Sequence, residues 1–286
     1  MMPGNLEMGD LGMNVIALEG DVIARPMTAR IGAEIEGVDL TRPLDARTLK
    51  GLRDALLRHQ VIFFRDQPIS HEDHLRLGRA FGELAIHSGV AGLPDYPAVV
   101  AIHADANSKF VAGENWHSDL SCNAEPPLGS ILTMKTVPEY GGDTCFSSMY
   151  AAYDALTEPM RHFLDGLTAI HDGEHVYRPI VGHNGQTFPC SEHPVVRTHP
   201  ETGRKCLFVN ASYTTRIPQL SRPESDAILN MLYRHCMAAD FQVRFRWKPN
   251  SVAFWDNRCT QHQAIWDYFP QTRSGFRVPV AGATPF

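Results

Sequence analysis

Three residues of this chain could form one face of a metal site: His117, Asp119 and the distant His262. Residues two apart on an extended strand point to the same side, so His117 and Asp119 would face one way. The second histidine could then complete the set. Two imidazoles and one carboxylate leave three coordination positions open, which is the facial arrangement of non-haem Fe(II) oxygenases. The open half would admit oxygen and a chelating co-substrate.

Two arginines, Arg273 and Arg277, follow His262 towards the end of the chain. On a strand, residues four apart share a face, so both guanidinium groups would point into one region. Guanidinium forks pair with carboxylates and other oxyanions through two parallel hydrogen bonds. In an acidic chain, two converging arginines indicate two bound anions. The alternative stays open that the histidines and Asp119 are unrelated polar residues, because an isolated His-x-Asp tripeptide is common by chance.

The composition excludes several classes of protein. The chain has 286 residues, 43% of them hydrophobic, which suffices for a sizeable core. Its net charge is −6 and no apolar run is long enough for a bilayer, so we expect neither nucleic acid nor a membrane as a partner. Residues 1–15 lack basic residues, and we expect a flexible leader there. Six cysteines without a Cys-x-x-Cys pair are typical of reduced thiols in the cytoplasm.

Polar caps and hydrophobic spacing predict a few helices. Asp45 is a typical N-cap, and leucines at helical spacing follow it. Ser70 and Asp73 form a capping-box pattern, and we expect the helix that it opens to end at about Phe81. A further helix is expected over 149–167. These helices would lie outside a core made of strands.

Strands outnumber helices in the predicted arrangement. The β-rich segments are 61–64, 130–137, 251–255 and 276–281. We therefore predict one domain over 1–286, mainly β with peripheral helices (α+β), with a double-stranded β-helix core of the jelly-roll or cupin type. Residues 171–200 are rich in Gly, Pro and His without a clear period, and we expect a long insertion or lid.

Several motifs occur together in a fixed order. They are Asn115-Trp116-His117-Ser118-Asp119, Gly141-Gly142-Asp143-Thr144, Trp255-Asp256-Asn257-Arg258-Cys259-Thr260-Gln261-His262 and Arg273. Together they resemble the TauD/TfdA family of Fe(II)- and 2-oxoglutarate-dependent dioxygenases, and the resemblance covers nearly the whole chain. It implies an enzyme that uses O2, decarboxylates 2-oxoglutarate to succinate and CO2, and hydroxylates a small anionic substrate. It also implies a homodimer or homotetramer.

The resemblance assigns roles to single residues. His117, Asp119 and His262 match the iron ligands, while Arg273 and Thr144 match the groups that hold the distal carboxylate of 2-oxoglutarate. The expected substrate-binding residues are His87, Leu120, Tyr177, Tyr213 and Arg277. For Thr144 and His87, a turn residue and a structural histidine are the alternatives.

The chain departs from the taurine enzymes of this family in its expected substrate pocket. Gly113 replaces a substrate-binding asparagine, and Val90 replaces a tyrosine. Tyr177, Tyr213 and Cys122 replace phenylalanines. These changes favour a bulkier or more polar substrate than taurine, so sulfonates, sulfate esters and aryloxyalkanoates all remain open. A non-catalytic 2-oxoglutarate or metal sensor and a metal-dependent hydrolase are the alternatives from other classes.

Overall fold

The computed structural model describes residues 15–87, 89–182 and 185–286. The predicted leader over 1–15 lies outside these residues except for Val15. Most of the regular structure in the described part is β-strand, as predicted. The strands are β1 (Ile16–Ala17), β2 (Ile23–Pro26), β3 (Ala33–Glu36), β4 (Val61–Phe64), β5 (Val100–Ala104), β6 (Gly129–Thr136), β7 (Thr144–Ser148), β8 (Thr168–Asp172), β9 (Cys190–Pro194), β10 (Val196–Thr198), β11 (Lys205–Leu207), β12 (Thr214–Arg216), β13 (Gln242–Phe245), β14 (Val252–Asp256), β15 (Thr260–Ala264) and β16 (Arg273–Val280).

The helices lie between groups of strands. They are α1 (Ala46–His59), α2 (His71–Phe81), α3 (Met149–Asp154), α4 (Glu158–Leu164), α5 (Glu174–Val181) and α6 (Arg222–Cys236). Short 3-10 turns occur at Glu19–Asp21 and Ala239–Phe241. No helix among the described residues is long and apolar enough to cross a membrane.

The predicted N-cap residues lie at the starts of α1 and α2. The Asp45 carboxylate accepts a hydrogen bond from the Thr48 amide at the start of α1. Ser70 and Asp73 form the reciprocal capping box of α2. The single helix predicted over 149–167 is wrong, because α3 and α4 are separate. Pro159 stands in the first turn of α4, where its missing N–H costs nothing, whereas inside a continuous helix it would remove a hydrogen bond.

Two sheets face each other across the core. The larger has eight strands in the order β1-β2-β3-β4-β14-β6-β16-β5, and the smaller has the order β13-β7-β15. Phe63 and Trp255 from the large sheet pack with Phe146 and Phe245 from the small one. The rings of Phe63 and Phe245 are stacked with centroids 4.0 Å apart. This two-sheet sandwich is the predicted jelly-roll core, and α1 and α2 cover the outer face of the large sheet.

Residues 171–200 are more regular than a loop-like insertion. The segment contains the end of β8, helix α5, β9 and β10. Strands β12, β8 and β9 form a small antiparallel sheet of their own. Helix α5 brings Tyr177 to the wall of the cavity that His117, Asp119 and His262 also line, so this segment is part of the walls around the site.

Candidate active site

The three expected metal ligands meet in one place. His117 and His262 are joined by an antiparallel bridge, with N···O distances of 3.1 Å and 2.8 Å. Asp119 Oδ1 lies 3.6 Å from His117 Nε2 and 3.8 Å from His262 Nε2. All three side chains are buried. The ligand atoms lie within 4.8 Å of one another, which is close enough for all three to bind one ion.

The backbone at this point differs from the expected strand. His117 makes a single bridge, and Asp119 already lies in a turn in which Leu120 has a φ of 50°. The expectation of an extended strand over 117–119 is therefore wrong. The alternation of side chains still holds locally, because the Ser118 hydroxyl points away and donates to the Thr260 carbonyl at 2.8 Å.

Hydrogen bonds orient the three expected ligands. His117 Nδ1 lies 2.7 Å from the Asn115 carbonyl, which can only accept, so Nδ1 carries the proton and Nε2 keeps its lone pair. Ser130 Oγ donates to Asp119 Oδ2 at 2.7 Å, which leaves Oδ1 facing the histidines. His262 Nδ1 is buried without a hydrogen-bond partner among the described residues.

The electrostatics favour metal binding. Burial acts to raise the pKa of Asp119, but Arg277 and His262 outweigh it and hold this pKa well below its usual range. Burial, helped by the neighbouring His117, lowers the pKa of His262 well below its usual range. An ionised carboxylate and neutral imidazole are the forms that bind metals. The two-nitrogen, one-oxygen donor set suits Fe(II), and the residues present fit that ion.

A second cluster, His199, Asp256 and Cys259, has metal-like spacing but is already satisfied. Arg258 donates to both oxygens of Asp256 at 2.8 Å and 2.7 Å, and His199 Nε2 lies 3.0 Å from Oδ2. Because its carboxylate is fully engaged, this buried cluster is a structural network behind the site.

Arg273 lies in the same cavity as the metal ligands. It is 3% exposed, and no described carboxylate lies within 4 Å of its guanidinium group. Its Nε donates to the Gly142 carbonyl at 2.9 Å, and its Nη2 donates to Thr144 Oγ1 at 3.3 Å. Burial lowers the pKa of Arg273 below its ordinary value. A buried cation without an acidic partner is costly by itself, so this arrangement is suited to an anionic ligand.

Arg277 and His87 present further donors. Arg277 Nη1 donates to Asp119 Oδ1 at 2.6 Å, and its Nε is buried without a partner among the described residues. His87 Nδ1 accepts from the amides of Gly89 and Val90, both at 3.0 Å, so the proton must lie on Nε2. Burial and the nearby Arg277 lower the pKa of His87 to about 4. His87 is therefore a neutral N–H donor on the cavity wall.

The cavity around these groups has a volume of about 940 Å³. Tyr177 and Tyr213 line it, and their hydroxyl groups lie 3.2 Å apart. The apolar part of the wall includes Val90, Phe110 and Val111. Val90 and Phe110 are exposed, so the apolar surface continues to the mouth of the cavity.

Leu120 and Gly113 contribute to the pocket differently from what the sequence predicts. Leu120 is buried against Cys122, Tyr177 and Tyr213 and is not among the residues that line the cavity. Its contribution is to pack behind the tyrosines. Gly113 has a φ of +81°, and a Cβ there would lie 3.0 Å from His117 Cε1. Glycine at this position therefore leaves room for the imidazole of His117.

Sequence reasoning missed the side chains that hold the ligands. Ser130 is in a β-rich run that carried no sign of its bond to Asp119. Asn257 is within the 255–262 motif, but its partner Asp119 is distant in the chain. Phe110 at the cavity mouth lies in a polar loop without any periodic pattern.

This geometry defines a class: a two-histidine, one-carboxylate cluster on a jelly roll, beside an arginine that forms no ion pair with any carboxylate among the described residues. The family described as "Taurine catabolism dioxygenase TauD, TfdA family" matches residues 24–278, and the chain belongs to this family. The predicted class of enzyme, a dioxygenase, is thereby confirmed.

Individual relatives agree with the family assignment. An alpha-ketoglutarate-dependent sulfate ester dioxygenase of Pseudomonas putida is 35% identical over 282 residues, which cover 94% of this chain and 92% of that protein. The crystal structure of a taurine dioxygenase from Burkholderia xenovorans has a TM-score of 0.82 at 38% identity, covering 92% of this chain and 90% of the other. AAD-2 in complex with Mn(II) and N-oxalylglycine has a TM-score of 0.78 at 28% identity, covering 92% and 98%.

Proposed function

We propose that this chain is an Fe(II)- and 2-oxoglutarate-dependent dioxygenase that hydroxylates a small organic anion carrying an apolar group. The observation that carries the proposal is that the three ligand atoms, within 4.8 Å of one another, share one cavity with Arg273 and Arg277. In this assignment His117, Asp119 and His262 hold the iron. The Mn(II) and N-oxalylglycine bound to AAD-2, a protein of the same fold, are in accord with it.

Different residues would bind 2-oxoglutarate and the substrate. Arg273 and Thr144 would bind the distal carboxylate of 2-oxoglutarate, and the metal face would take its other end. When bound, iron and 2-oxoglutarate together activate oxygen, and 2-oxoglutarate is converted to succinate and CO2 as the substrate is hydroxylated. Arg277 and the N–H of His87 would hold the anionic group of the substrate beside the metal ligands. The buried walls exclude water from the reacting groups.

The cavity favours a substrate with an apolar body. The cavity has a volume of about 940 Å³, and Val90, Phe110 and Val111 form part of its wall. A sulfate ester or sulfonate with an alkyl or aryl group would satisfy both the arginine and this surface. Hydroxylation at the carbon that bears the sulfur or oxygen would then release the anion. The sulfate ester dioxygenase of Pseudomonas putida, which covers 94% of this chain, supports this choice.

A substrate series tests the proposal. Alkyl sulfates and alkylsulfonates of increasing chain length, taurine and phenoxyacetate would be compared by substrate-dependent succinate formation. Each methylene buried at the wall should raise kcat/KM about fourfold, because burial of one CH2 contributes about 0.8 kcal/mol. A preference for taurine over every alkyl compound would refute the apolar subsite. A preference for phenoxyacetate would favour the aryloxyalkanoate alternative.

The other classes predict different outcomes. A metal-dependent hydrolase would release product without oxygen and 2-oxoglutarate, so an anaerobic reaction distinguishes it. A sensor would bind 2-oxoglutarate but form no succinate with any substrate. In either case, replacing His117, Asp119 or His262 with alanine should abolish binding of the metal, whereas only the dioxygenase couples substrate turnover to succinate.

We further propose a homodimer or homotetramer in the cytoplasm, formed by a single catalytic domain in which the 171–200 segment closes over the substrate. All six cysteines are free thiols, which accords with a reducing compartment. Light scattering coupled to size-exclusion chromatography would give the mass of the assembly. Hydrogen exchange in α5 with and without substrate would report closure.

A further inference from the structure

The turn between β14 and β15 connects the separate parts of the proposed metal centre. It contains Asn257, between Asp256 at the end of β14 and Thr260 at the start of β15, and His262 follows on β15. The turn is rigidly held, because Arg258 and His199 bind both oxygens of the buried Asp256 carboxylate. A side chain fixed to this turn therefore has a fixed relation to His262.

Asn257 uses its amide to hold the backbone of Asp119. Its Oδ1 accepts from the Asp119 amide at 2.7 Å, and its Nδ2 donates to the Asp119 carbonyl at 2.9 Å. This pair of bonds mimics the pairing of two neighbouring strands. Nδ2 also donates to the Pro127 carbonyl at 3.2 Å, so both polar atoms of Asn257 are used here. The side chain is 1% exposed, where such bonds are protected from water.

Asp119 needs such a support because it lies in a turn. His117 has its backbone bridge to His262, but the strand-like pairing stops there, and Leu120 adopts a positive φ. The two hydrogen bonds from Asn257 take the place of the strand-to-strand backbone hydrogen bonds that Asp119 lacks. They thereby set the distance between the carboxylate and the two imidazoles, which are bound to the same turn and strand.

We propose that Asn257 is a positioning residue for the metal centre, which holds Asp119 at the distance from His117 and His262 that a metal ion requires. The proposal rests on the proposed function, because it takes these three residues as the ligands. Outer partners that orient metal ligands typically change metal affinity 10- to 100-fold when they are removed.

The test measures binding of Mn(II) alone to the full-length protein by titration calorimetry and electron paramagnetic resonance. Asn257→Leu keeps the shape of the side chain and removes both bonds. Asn257→Asp keeps an acceptor for the Asp119 amide but places a second oxygen against the Asp119 and Pro127 carbonyls. Both variants should bind Mn(II) about 10- to 100-fold more weakly and show an altered resonance spectrum. If Asn257→Leu does not fold, Asn257→Asp carries the test.

Two control variants separate the possible explanations. Leu232→Ala, in the apolar cluster around α6, should lower the melting temperature without affecting Mn(II) binding. Equal losses of Mn(II) affinity in Leu232→Ala and Asn257→Leu would overturn the proposal, and so would binding within twofold of the wild type in both Asn257 variants. His262→Ala tests the centre itself: Mn(II) binding that survives this change would refute the ligand assignment and the proposal with it.

Discussion

Replacing Arg273 should separate binding of 2-oxoglutarate from binding of the metal. Arg273→Leu removes a buried guanidinium group that has no described carboxylate within 4 Å and that contacts Thr144 Oγ1. If it holds the distal carboxylate by two parallel hydrogen bonds, the loss is about 3 kcal/mol, which corresponds to roughly 150-fold weaker binding. Arg273→Lys keeps the charge but not the fork, and should cost about half as much, roughly tenfold.

The dissociation constant of 2-oxoglutarate would be measured anaerobically with Mn(II) in the site. N-oxalylglycine serves as an unreactive analogue. Arg273 also donates to the Gly142 carbonyl, so a lower melting temperature is expected, and Mn(II) affinity is the necessary control. This affinity should stay within a few fold, because Arg273 contacts none of the three ligands. Unchanged 2-oxoglutarate binding in Arg273→Leu would refute the assignment, since another group would then hold the carboxylate.

Three further predictions test other parts of the molecule. Arg277→Leu should lower kcat/KM for the primary substrate more than a hundredfold and affect 2-oxoglutarate much less, with both measured at saturating Fe(II) because Arg277 also contacts Asp119; the opposite order would exchange the roles of the two arginines. Gly113→Ala and Gly166→Ala both strain a φ of +81°, but only the first places a Cβ against His117, so only the first should weaken Mn(II) binding. Burial lowers the pKa of His74 to about 3, against about 6.5 in the unfolded chain. The neutral imidazole therefore makes its full contribution to the free energy of unfolding above pH 6.5, and this contribution falls as the pH is lowered towards 3. Between pH 7 and pH 5 the wild type should lose about 2 kcal/mol through this residue, and urea unfolding of His74→Gln should show a correspondingly smaller loss.

The convergence of His117, Asp119 and His262 could be predicted from sequence, because few residue types bind metals and the motifs that carry them occur in a fixed order. Their backbone could not, because Asp119 is held by a side chain distant in the sequence. The caps of α1 and α2 were predictable for a different reason: Asp45 and the Ser70–Asp73 pair act within a few residues. Local hydrogen bonds can be identified in a sequence, whereas the Asn257–Asp119 pair requires the folded arrangement of two distant segments.

The missed boundary between α3 and α4 and the regular structure within 171–200 have similar causes. Hydrophobic spacing over 149–167 fits one helix, and the effect of Pro159 on it is visible only when its position in the turn is known. In 171–200, strands β8 and β9 are short and pair with each other, so no long period appears in the sequence. Tertiary pairing decides the structure of such segments more than local preference does.

The substrate is the least predictable property for a physical reason. Thr144, His262 and Arg273 lie on strands whose register is set by backbone ladders; His262, for example, pairs with Phe146 of β7. Arg277 also lies on β16, but the other groups proposed to contact the substrate come from His87, Val90, the 110–113 loop and α5. A change in a loop side chain alters the cavity wall without moving a ladder bond. The metal and 2-oxoglutarate sites can therefore stay constant while the substrate pocket varies, and the reaction is better defined by this sequence than the molecule on which it acts.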